Sequence, residues 1–126
     1  MIDSITFDAS HAATLARFWC EALPEYEIAP YSDDDIADLK SRGIDDVEDD
    51  PNVMCLSALS GPRLFFQKVP EPKTAKSRVH LDVKLRDRAH LDQLIELGAT
   101  IVREFDNHDG YWMTDPDGND FCALLP

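Results

Sequence analysis

The sequence is poor in positive charge and contains no long apolar segment. It carries 12 Lys and Arg residues against 25 Asp and Glu residues, which gives a formal net charge of −13 at pH 7. Because nucleic acids and anionic lipid surfaces are bound through Lys and Arg, this balance argues against both partners. Its apolar runs, such as Val53–Leu59, fall well short of the roughly 18 residues that a membrane-spanning helix needs.

Cysteine is also scarce, and the N-terminus shows no basic segment followed by an apolar one. Without such a leader we expect a protein that stays in the cytoplasm. The cysteines, Cys20, Cys55 and Cys122, are too few and too scattered along the sequence to predict a disulfide framework. No Cys-x-x-Cys pair is present, which excludes a structural zinc site of the usual spacing, and the odd count is typical of a reducing compartment.

The composition is typical of a globular protein, and the predicted helices and strands form a repeated pattern. Apolar residues make up 44% and charged residues 29% of the 126 positions, which is typical of one folded domain. Apolar periodicity predicts a strand, a helix and two strands, then a strand, a helix and three strands. The predicted strands span residues 2–9, 52–59, 63–69, 78–85, 100–104, 111–114 and 120–125, and the helices run from Ser10 to Leu23 and through Leu91 and Leu94 to Gly98.

The two halves superimpose as an internal repeat. An offset of 76 residues places Ile5 on Leu81 and Phe18 on Leu94, whereas the last strands of the halves align at an offset of 57. The first half is longer, and the excess matches residues 31–50. We interpret the chain as one domain of two βαβββ modules, residues 1–69 and 77–126, with an insertion at 31–50. The connector between the modules carries Lys residues that could close over an anionic group.

The insertion is strongly acidic, with nine acidic residues and two basic ones. Calcium binding of the EF-hand type needs carboxylates at fixed spacing and a closing Glu, and the residues around Gly43 lack that pattern. We therefore predict a solvated, partly helical loop or lid. If it covers the mouth of a binding site, its negative charge would favour cationic ligands.

Three stretches of the sequence resemble a known superfamily. They are Leu15-Ala-Arg-Phe-Trp19, then Gly61-Pro-Arg-Leu-Phe-Phe-Gln67 with Val79-His-Leu-Asp-Val83, and finally Leu97-Gly-Ala-Thr100 with Asp115-Pro-Asp-Gly-Asn119. With the paired βαβββ pattern, they resemble the vicinal oxygen chelate superfamily of glyoxalase I, bleomycin-resistance proteins and extradiol dioxygenases, and most closely its short bacterial glyoxalase-like domain proteins. The resemblance implies an α+β fold in which the modules form a curved mixed sheet around a funnel, with helices on the convex side. It also implies a homodimer.

The resemblance further implies where a site lies. Catalytic members hold one divalent metal through side chains on the first, fourth, fifth and eighth strands, and the metal chelates two neighbouring substrate oxygens. Carried over residue by residue, these positions are Ser4, Phe65, His80 and Cys122, with Gln67 one step beyond Phe65 on the same face. Ser is a poor metal ligand and Phe is none, so the set departs from the catalytic pattern. His80 and Cys122 remain as a remnant that could hold a divalent ion weakly.

Several of these side chains have alternative roles. His80 and Asp82 share a strand face, so the carboxylate either orients the imidazole for acid–base chemistry or forms a simple polar pair with it. Cys122 is either a nucleophile or a small buried thiol. Aromatic walls hold flat ligands, and alternation lets only one of Tyr111 and Trp112 face inwards.

The incomplete ligand set favours a small-molecule binding protein that uses neither the family's complete metal site nor a cofactor. No catalytic residue is assigned, and the expected ligand contacts are Ser4, Phe65, Gln67, His80, Asp82 and Cys122. The alternative is a metal-dependent lyase or isomerase acting on a substrate with vicinal oxygens. A third hypothesis is an interaction module that works through its acidic surface.

Overall fold

The computed structural model describes residues 1–126 and contains three α-helices and eight β-strands. The helices are α1 (Ala12–Ala22), α2 (Asp33–Ser41) and α3 (Arg88–Glu96). The strands are β1 (Ser4–Ala9), β2 (Tyr26–Ile28), β3 (Asn52–Ser57), β4 (Arg63–Lys68), β5 (Leu81–Lys84), β6 (Thr100–Glu104), β7 (Gly110–Thr114) and β8 (Asp120–Leu124). None of the helices has the length and apolar character that crossing a lipid bilayer requires.

The strands form two four-stranded mixed sheets, each within its own compact unit. The first unit comprises Met1–Cys20 and Pro24–Glu71, and the second comprises Glu21–Leu23 and Pro72–Pro126. The strand orders are β1-β4-β3-β2 and β5-β8-β7-β6. In each sheet the first strand pairs in parallel and the remaining pairs are antiparallel. The predicted α+β fold with two βαβββ modules is confirmed.

The internal repeat is visible in where the elements begin. Helix α1 begins at Ala12 and α3 at Arg88, an offset of 76 residues. Strand β4 begins at Arg63 and β8 at Asp120, an offset of 57. The extra residues of the first half lie between β2 and β3, where the acidic insertion folds into α2 and a short 3-10 helix.

One face of the first sheet is apolar and packs against α1. The ring centres of Phe7 and Trp19 lie 4.8 Å apart, and those of Phe7 and Phe66 lie 5.1 Å apart. Burying rings of this size stabilises the fold by about 1.5–3 kcal/mol each, which fixes α1 on β1 and β4. Because side chains alternate along a strand, the opposite face carries Phe65 and Gln67 and stays open.

The second sheet also has one buried face and one open face. The buried side is formed by Val83, Met113, Phe121 and Ala123 of the sheet, together with Leu91 and Leu94 of α3. The opposite face presents Asp82, Cys122 and Trp112, which are neighbours across β5, β8 and β7. This open face positions the candidate site.

The start of β5 differs from its prediction. The strand begins at Leu81, so His80 lies in the loop before it, and Val79, expected on the buried face, is 79% exposed. The neighbouring strand explains the late start, because the backbone N–H of Asp120 donates to the Ser77 hydroxyl at 3.1 Å rather than to a strand partner.

Two smaller differences concern the first unit. Strand β2 was not predicted, because a segment of only three residues shows no alternation. Helix α1 begins at Ala12, so His11 rather than Ser10 precedes it, and the His11 Nδ1 accepts a hydrogen bond from the Thr14 N–H at 3.2 Å.

Candidate functional site

Three side chains able to bind metal meet on the open face of the second sheet. Strands β5 and β8 run parallel with Asp82 opposite Cys122, and His80 lies in the loop that enters β5. The His80 Nε2 lies 3.3 Å from the Asp82 Oδ1. Ligand atoms of His80, Asp82 and Cys122 all lie within 4.8 Å of one another. The structure thus brings together the expected contacts that belong to the second module.

The surroundings of these side chains limit their chemistry. The side chains of His80 and Asp82 are 47% and 61% exposed, so water screens the attraction between them. Burial and the neighbouring Asp82 carboxylate raise the pKa of the Cys122 thiol. Because the thiolate is the nucleophilic form of cysteine, this environment argues against Cys122 as a nucleophile at neutral pH.

Trp112 lies on the same face and is held by a buried carboxylate. Its indole N–H donates to Asp120 at 2.9 Å. The Asp120 carboxylate also accepts from the Lys73 ammonium at 2.9 Å and from the Ser77 backbone N–H at 2.6 Å. Burial alone would raise the pKa of Asp120, but these hydrogen bonds hold it well below its usual range. Asp120 is therefore a fixed anion that anchors both Trp112 and the connector.

A cavity of about 230 Å³ opens beside Trp112. It is lined by Lys76, His80, Arg103, Phe105, Trp112, Asp120 and Cys122. The Lys76 ammonium lies 5.5 Å from the centre of the Trp112 ring. Since Lys73 neutralises Asp120, Lys76 and Arg103 make the lining net positive on a chain whose net charge is −13. Tyr111 does not line this cavity, so Trp112 is the residue that faces it.

Asp82 lines a different cavity of the second unit. This cavity has a volume of about 580 Å³, and Lys84, His108 and the C-terminal Pro126 contribute to it. His80, which contacts Asp82, belongs to the smaller cavity. The His80–Asp82 pair therefore stands where the two cavities of this unit come close to each other.

The other expected contacts lie on the open face of the first sheet. Ser4 is opposite Arg63 at the start of β1, and Phe65 and Gln67 follow on β4. The Gln67 amide donates to Asp8 at 2.9 Å, and the Arg63 guanidinium carbon lies 5.6 Å from the centre of the Phe65 ring. Phe65 lines a cavity of this unit, whereas Ser4 and Gln67 do not.

The acidic insertion forms one wall of that cavity. The cavity has a volume of about 310 Å³. It is lined by Ala29, Pro30, Tyr31, Asp35, Asp38, Leu39, Arg42, Asp50, Asn52, Met54 and Phe65. Helix α2 begins with a capping box, in which the Ser32 hydroxyl accepts from the Asp35 N–H at 3.1 Å and the Asp35 carboxylate accepts from the Ser32 N–H at 2.9 Å. Leu39 is the buried residue of α2. The insertion is thus partly helical, as predicted.

The charged side chains of this cavity already have hydrogen-bond partners within the first unit. Tyr31 donates its hydroxyl to Asp50 at 2.6 Å, and burial together with Asp50 raises the pKa of Tyr31, so its hydroxyl stays protonated. Arg42 pairs with Asp38 at 3.0 Å. With three Asp residues and one Arg residue, the lining is net negative, opposite in sign to the cavity beside Trp112.

The connector contributes more to the site than the sequence indicated. Lys73 binds Asp120, and Lys76 lines the cavity beside Trp112. The group of Lys residues in the connector is the signal in the sequence, and it predicts contact with an anionic group. For Lys73 that group is a carboxylate of the chain itself.

The Asp115-Pro-Asp-Gly-Asn119 motif has a structural role. The Asp115 carboxylate accepts from the backbone N–H groups of Asp117 and Asn119 at 2.9 and 3.0 Å. Gly118 has a φ of +89°, a conformation that residues with a side chain rarely adopt. The motif therefore closes the turn from β7 to β8, which places Asp120 and Cys122 at their positions on the sheet.

Solved structures with the same fold come from glyoxalase-related proteins. A glyoxalase-related enzyme from Fulvimarina pelagi is 15% identical, with a TM-score of 0.63 over 100% of this chain and 88% of that chain. A glyoxalase/bleomycin resistance protein from Albidiferax ferrireducens is 16% identical, with a TM-score of 0.57 over 100% and 98%. A glyoxalase/bleomycin resistance protein/dioxygenase family enzyme from Burkholderia phytofirmans is 11% identical, with a TM-score of 0.59 over 98% and 96%. At such low identity, these likenesses establish the fold class.

The family follows from the sequence. The sequence model of the glyoxalase-like domain matches residues 4–124, nearly the whole chain. The chain therefore belongs to the glyoxalase-like domain family, within the vicinal oxygen chelate superfamily that its motifs resemble. No curated protein sequence matches the chain significantly.

Proposed function

We propose that this protein binds a small molecule, without a bound metal ion, in the cavity beside Trp112. The cavity carries the proposal because it combines aromatic walls with a few fixed polar groups, which is the usual composition of small-molecule sites. Its volume of about 230 Å³ is below the roughly 300–1,000 Å³ of sites for drug-sized ligands. A ligand of one or two rings therefore fits it best.

The charges of the lining favour a flat anion. The Trp112 ring offers a stacking surface whose orientation is fixed by its hydrogen bond to Asp120. Lys76 and Arg103 supply positive charge for a carboxylate or enolate oxygen, and His80 supplies a further hydrogen-bonding group. An aromatic carboxylate satisfies all of these groups together.

The remaining expected contacts lie in both units and are proposed for each unit by itself. Asp82 and Cys122 are neighbours of His80 on the open face, and Cys122 also lines the cavity. Ser4, Phe65 and Gln67 lie on the open face of the first sheet, where Phe65 contributes to a cavity of its own. We propose Asp82 and Cys122 as contacts in the second unit, and Ser4, Phe65 and Gln67 as a separate set of ligand contacts in the first unit.

A screen by nuclear magnetic resonance tests the proposal on the full chain. The probes are a set of one- and two-ring aromatic carboxylates and their neutral amides. The chain has two tryptophans, of which Trp19 is buried in the core, so we expect a carboxylate to shift the indole N–H signal of Trp112 alone. Absence of any Trp112 shift across the set at millimolar concentration would overturn the proposal.

Charge variants sharpen the test. Arg103→Gln should weaken binding of the carboxylate by about 2–5-fold, as expected for one exposed charge, and leave binding of the amide unchanged. The matched control is Arg86→Gln, which removes an Arg that does not line the cavity. Equal losses for the carboxylate and the amide would contradict the assigned role of Arg103.

A second candidate function is metal-dependent lyase or isomerase activity, and the cluster of His80, Asp82 and Cys122 favours it. These are all residue types that bind zinc, and their ligand atoms lie within 4.8 Å of one another. The types fit a divalent ion, and these three residues would hold it. A bound ion would act as a Lewis acid on substrate oxygens. We place this function second because Ser4 and Phe65 stand at the other two positions of the family's ligand set.

We also propose that the protein is a cytoplasmic homodimer that binds neither nucleic acid nor membranes. The edge strands of the sheets support dimerisation, because unpaired edges favour pairing with another chain. Strand β6 is such an edge, and its Ile101 and Val102 are 42% and 47% exposed. Sedimentation of a monomer at high micromolar concentration would overturn the homodimer.

A further inference from the structure

Two cysteines that are far apart in the sequence meet inside the first unit. Cys20 lies near the end of α1 and Cys55 lies within β3, 35 residues later, and their sulfur atoms are 3.3 Å apart. Both are free thiols. The scatter of the cysteines along the sequence gave no sign of this proximity, which results from the packing of α1 on the first sheet.

The two thiols have different surroundings. Cys55 is completely buried, whereas Cys20 is partly exposed. The hydrogen bond between them lowers the pKa of Cys20 and, together with burial, raises that of Cys55. Cys20 is therefore the thiol that ionises first and that a reagent can reach, and Cys55 is the protonated partner beside it. The pKa of Cys122 is raised by burial and by Asp82, which disfavours its reactive thiolate form.

We propose that Cys20 and Cys55 form a reversible disulfide by exchange with a small-molecule disulfide such as glutathione disulfide. The Cys20 thiolate attacks one sulfur of the reagent, whose S–S bond breaks and releases one thiolate. Cys55 then loses its proton and attacks the Cys20 sulfur of the mixed disulfide, releasing the second thiolate. Overall, two protein thiols and one disulfide become one protein disulfide and two small thiols.

The short distance between the two sulfur atoms supports the second step, in which Cys55 attacks the Cys20 sulfur. A disulfide has an S–S distance of about 2.05 Å, so closing it from 3.3 Å needs an approach of only about an ångström. The bond would close the segment between Cys20 and Cys55, which contains β2, α2 and most of the lining of the 310 Å³ cavity. Closing a loop of this length restricts the unfolded chain and should raise the melting temperature.

The test uses the full chain, treated with glutathione disulfide and then blocked with a thiol-alkylating reagent under denaturing conditions. We expect a product lighter by two hydrogen atoms before blocking, one remaining alkylated cysteine at Cys122, and a peptide map that links Cys20 to Cys55. The oxidised protein should melt several degrees higher than the reduced protein, and dithiothreitol should reverse the change.

Single variants separate the two steps. Cys55→Ala should stop at the mixed disulfide, so that glutathione stays attached to Cys20, and Cys20→Ala should react slowly and without a protein disulfide. In the wild type, persistent glutathione on Cys20, three unreacted thiols, or chains joined through Cys122 would each overturn the proposal. The wild-type result decides the matter even where a variant is poorly folded.

Discussion

The indole N–H of Trp112 donates to the carboxylate of Asp120 at 2.9 Å, and this bond joins the wall of the proposed binding cavity to a buried anion. The same carboxylate accepts from Lys73 of the connector and from Ser77 at the start of the second module. The orientation of Trp112 is therefore set by Asp120, which lines the cavity, and through it by Lys73 and Ser77, which do not line it.

Asp120→Asn should destabilise the protein by about 2–3 kcal/mol. The substitution removes a charged acceptor of hydrogen bonds from Lys73, Ser77 and Trp112 and leaves Lys73 without its partner. Chemical denaturation of the two proteins at neutral pH measures the difference. Asp92→Asn, an exposed position on α3, is the matched control and should change stability by less than about 0.5 kcal/mol.

The contribution of Asp120 should depend on pH in a definite direction. Because its pKa is lower in the folded protein than in the unfolded chain, its stabilisation is fully present above the ordinary Asp pKa of about 3.9. It is lost as the pH falls from there through the lower pKa of the folded state. The stability gap between the wild type and Asp120→Asn should therefore narrow below about pH 4. A gap that widened with acid would contradict the assigned hydrogen bonds.

Gly118→Ala should destabilise the protein by about 1–2 kcal/mol. Gly118 has a φ of +89°, and an added methyl group would meet its nearest neighbour, the Lys73 side chain, at an ordinary van der Waals distance of 3.6 Å. The effect therefore comes from backbone strain rather than from a clash. Thermal melting measures it, with Gly118→Asn as the comparison, since Asn tolerates this conformation better than Ala. Equal losses for both variants would rule out backbone strain as the cause.

The repeat was predictable from the sequence because it rests on local alternation and helical spacing. Ala12 and Arg88 begin corresponding helices, and Arg63 and Asp120 begin corresponding strands, at the predicted offsets. Strand β2 was not predictable, since its three residues pair with β3 only through tertiary structure. The late start of β5 depends on a hydrogen bond between Ser77 and Asp120, which are 43 residues apart.

The candidate site was predictable in part. His80 and Cys122 followed from the family pattern and Asp82 from its spacing to His80, and the structure places the three together. Which of Tyr111 and Trp112 faces the cavity depends on how side chains alternate along β7. Trp112 is paired with Cys122 of β8, so these two side chains lie on the same face of the sheet. Arg103 of β6 was missed, because nothing in its local sequence shows that it reaches a cavity with Trp112.

Ser32→Ala should destabilise α2 by about 1 kcal/mol. The Ser32 hydroxyl accepts the Asp35 N–H in the capping box, and its loss leaves that N–H without a partner at the helix start. Faster amide hydrogen exchange within Asp33–Ser41, with unchanged exchange in β3 and β4, is the expected result. Ser41→Ala, at the other end of the same helix, is the control and should have a smaller effect. Equal effects of the two substitutions would contradict the capping role.

The most direct test of metal-free binding combines metal analysis with thermal melting. The purified protein would be analysed for bound metal and melted with zinc, nickel, manganese or a chelator, beside His80→Ala and the control His108→Ala. A tightly bound ion raises the melting temperature of the folded state. We expect less than stoichiometric metal and no shift that depends on His80. Near-stoichiometric metal, removed by the chelator with a fall in melting temperature that His80→Ala abolishes and His108→Ala retains, would contradict metal-free binding and favour the lyase or isomerase.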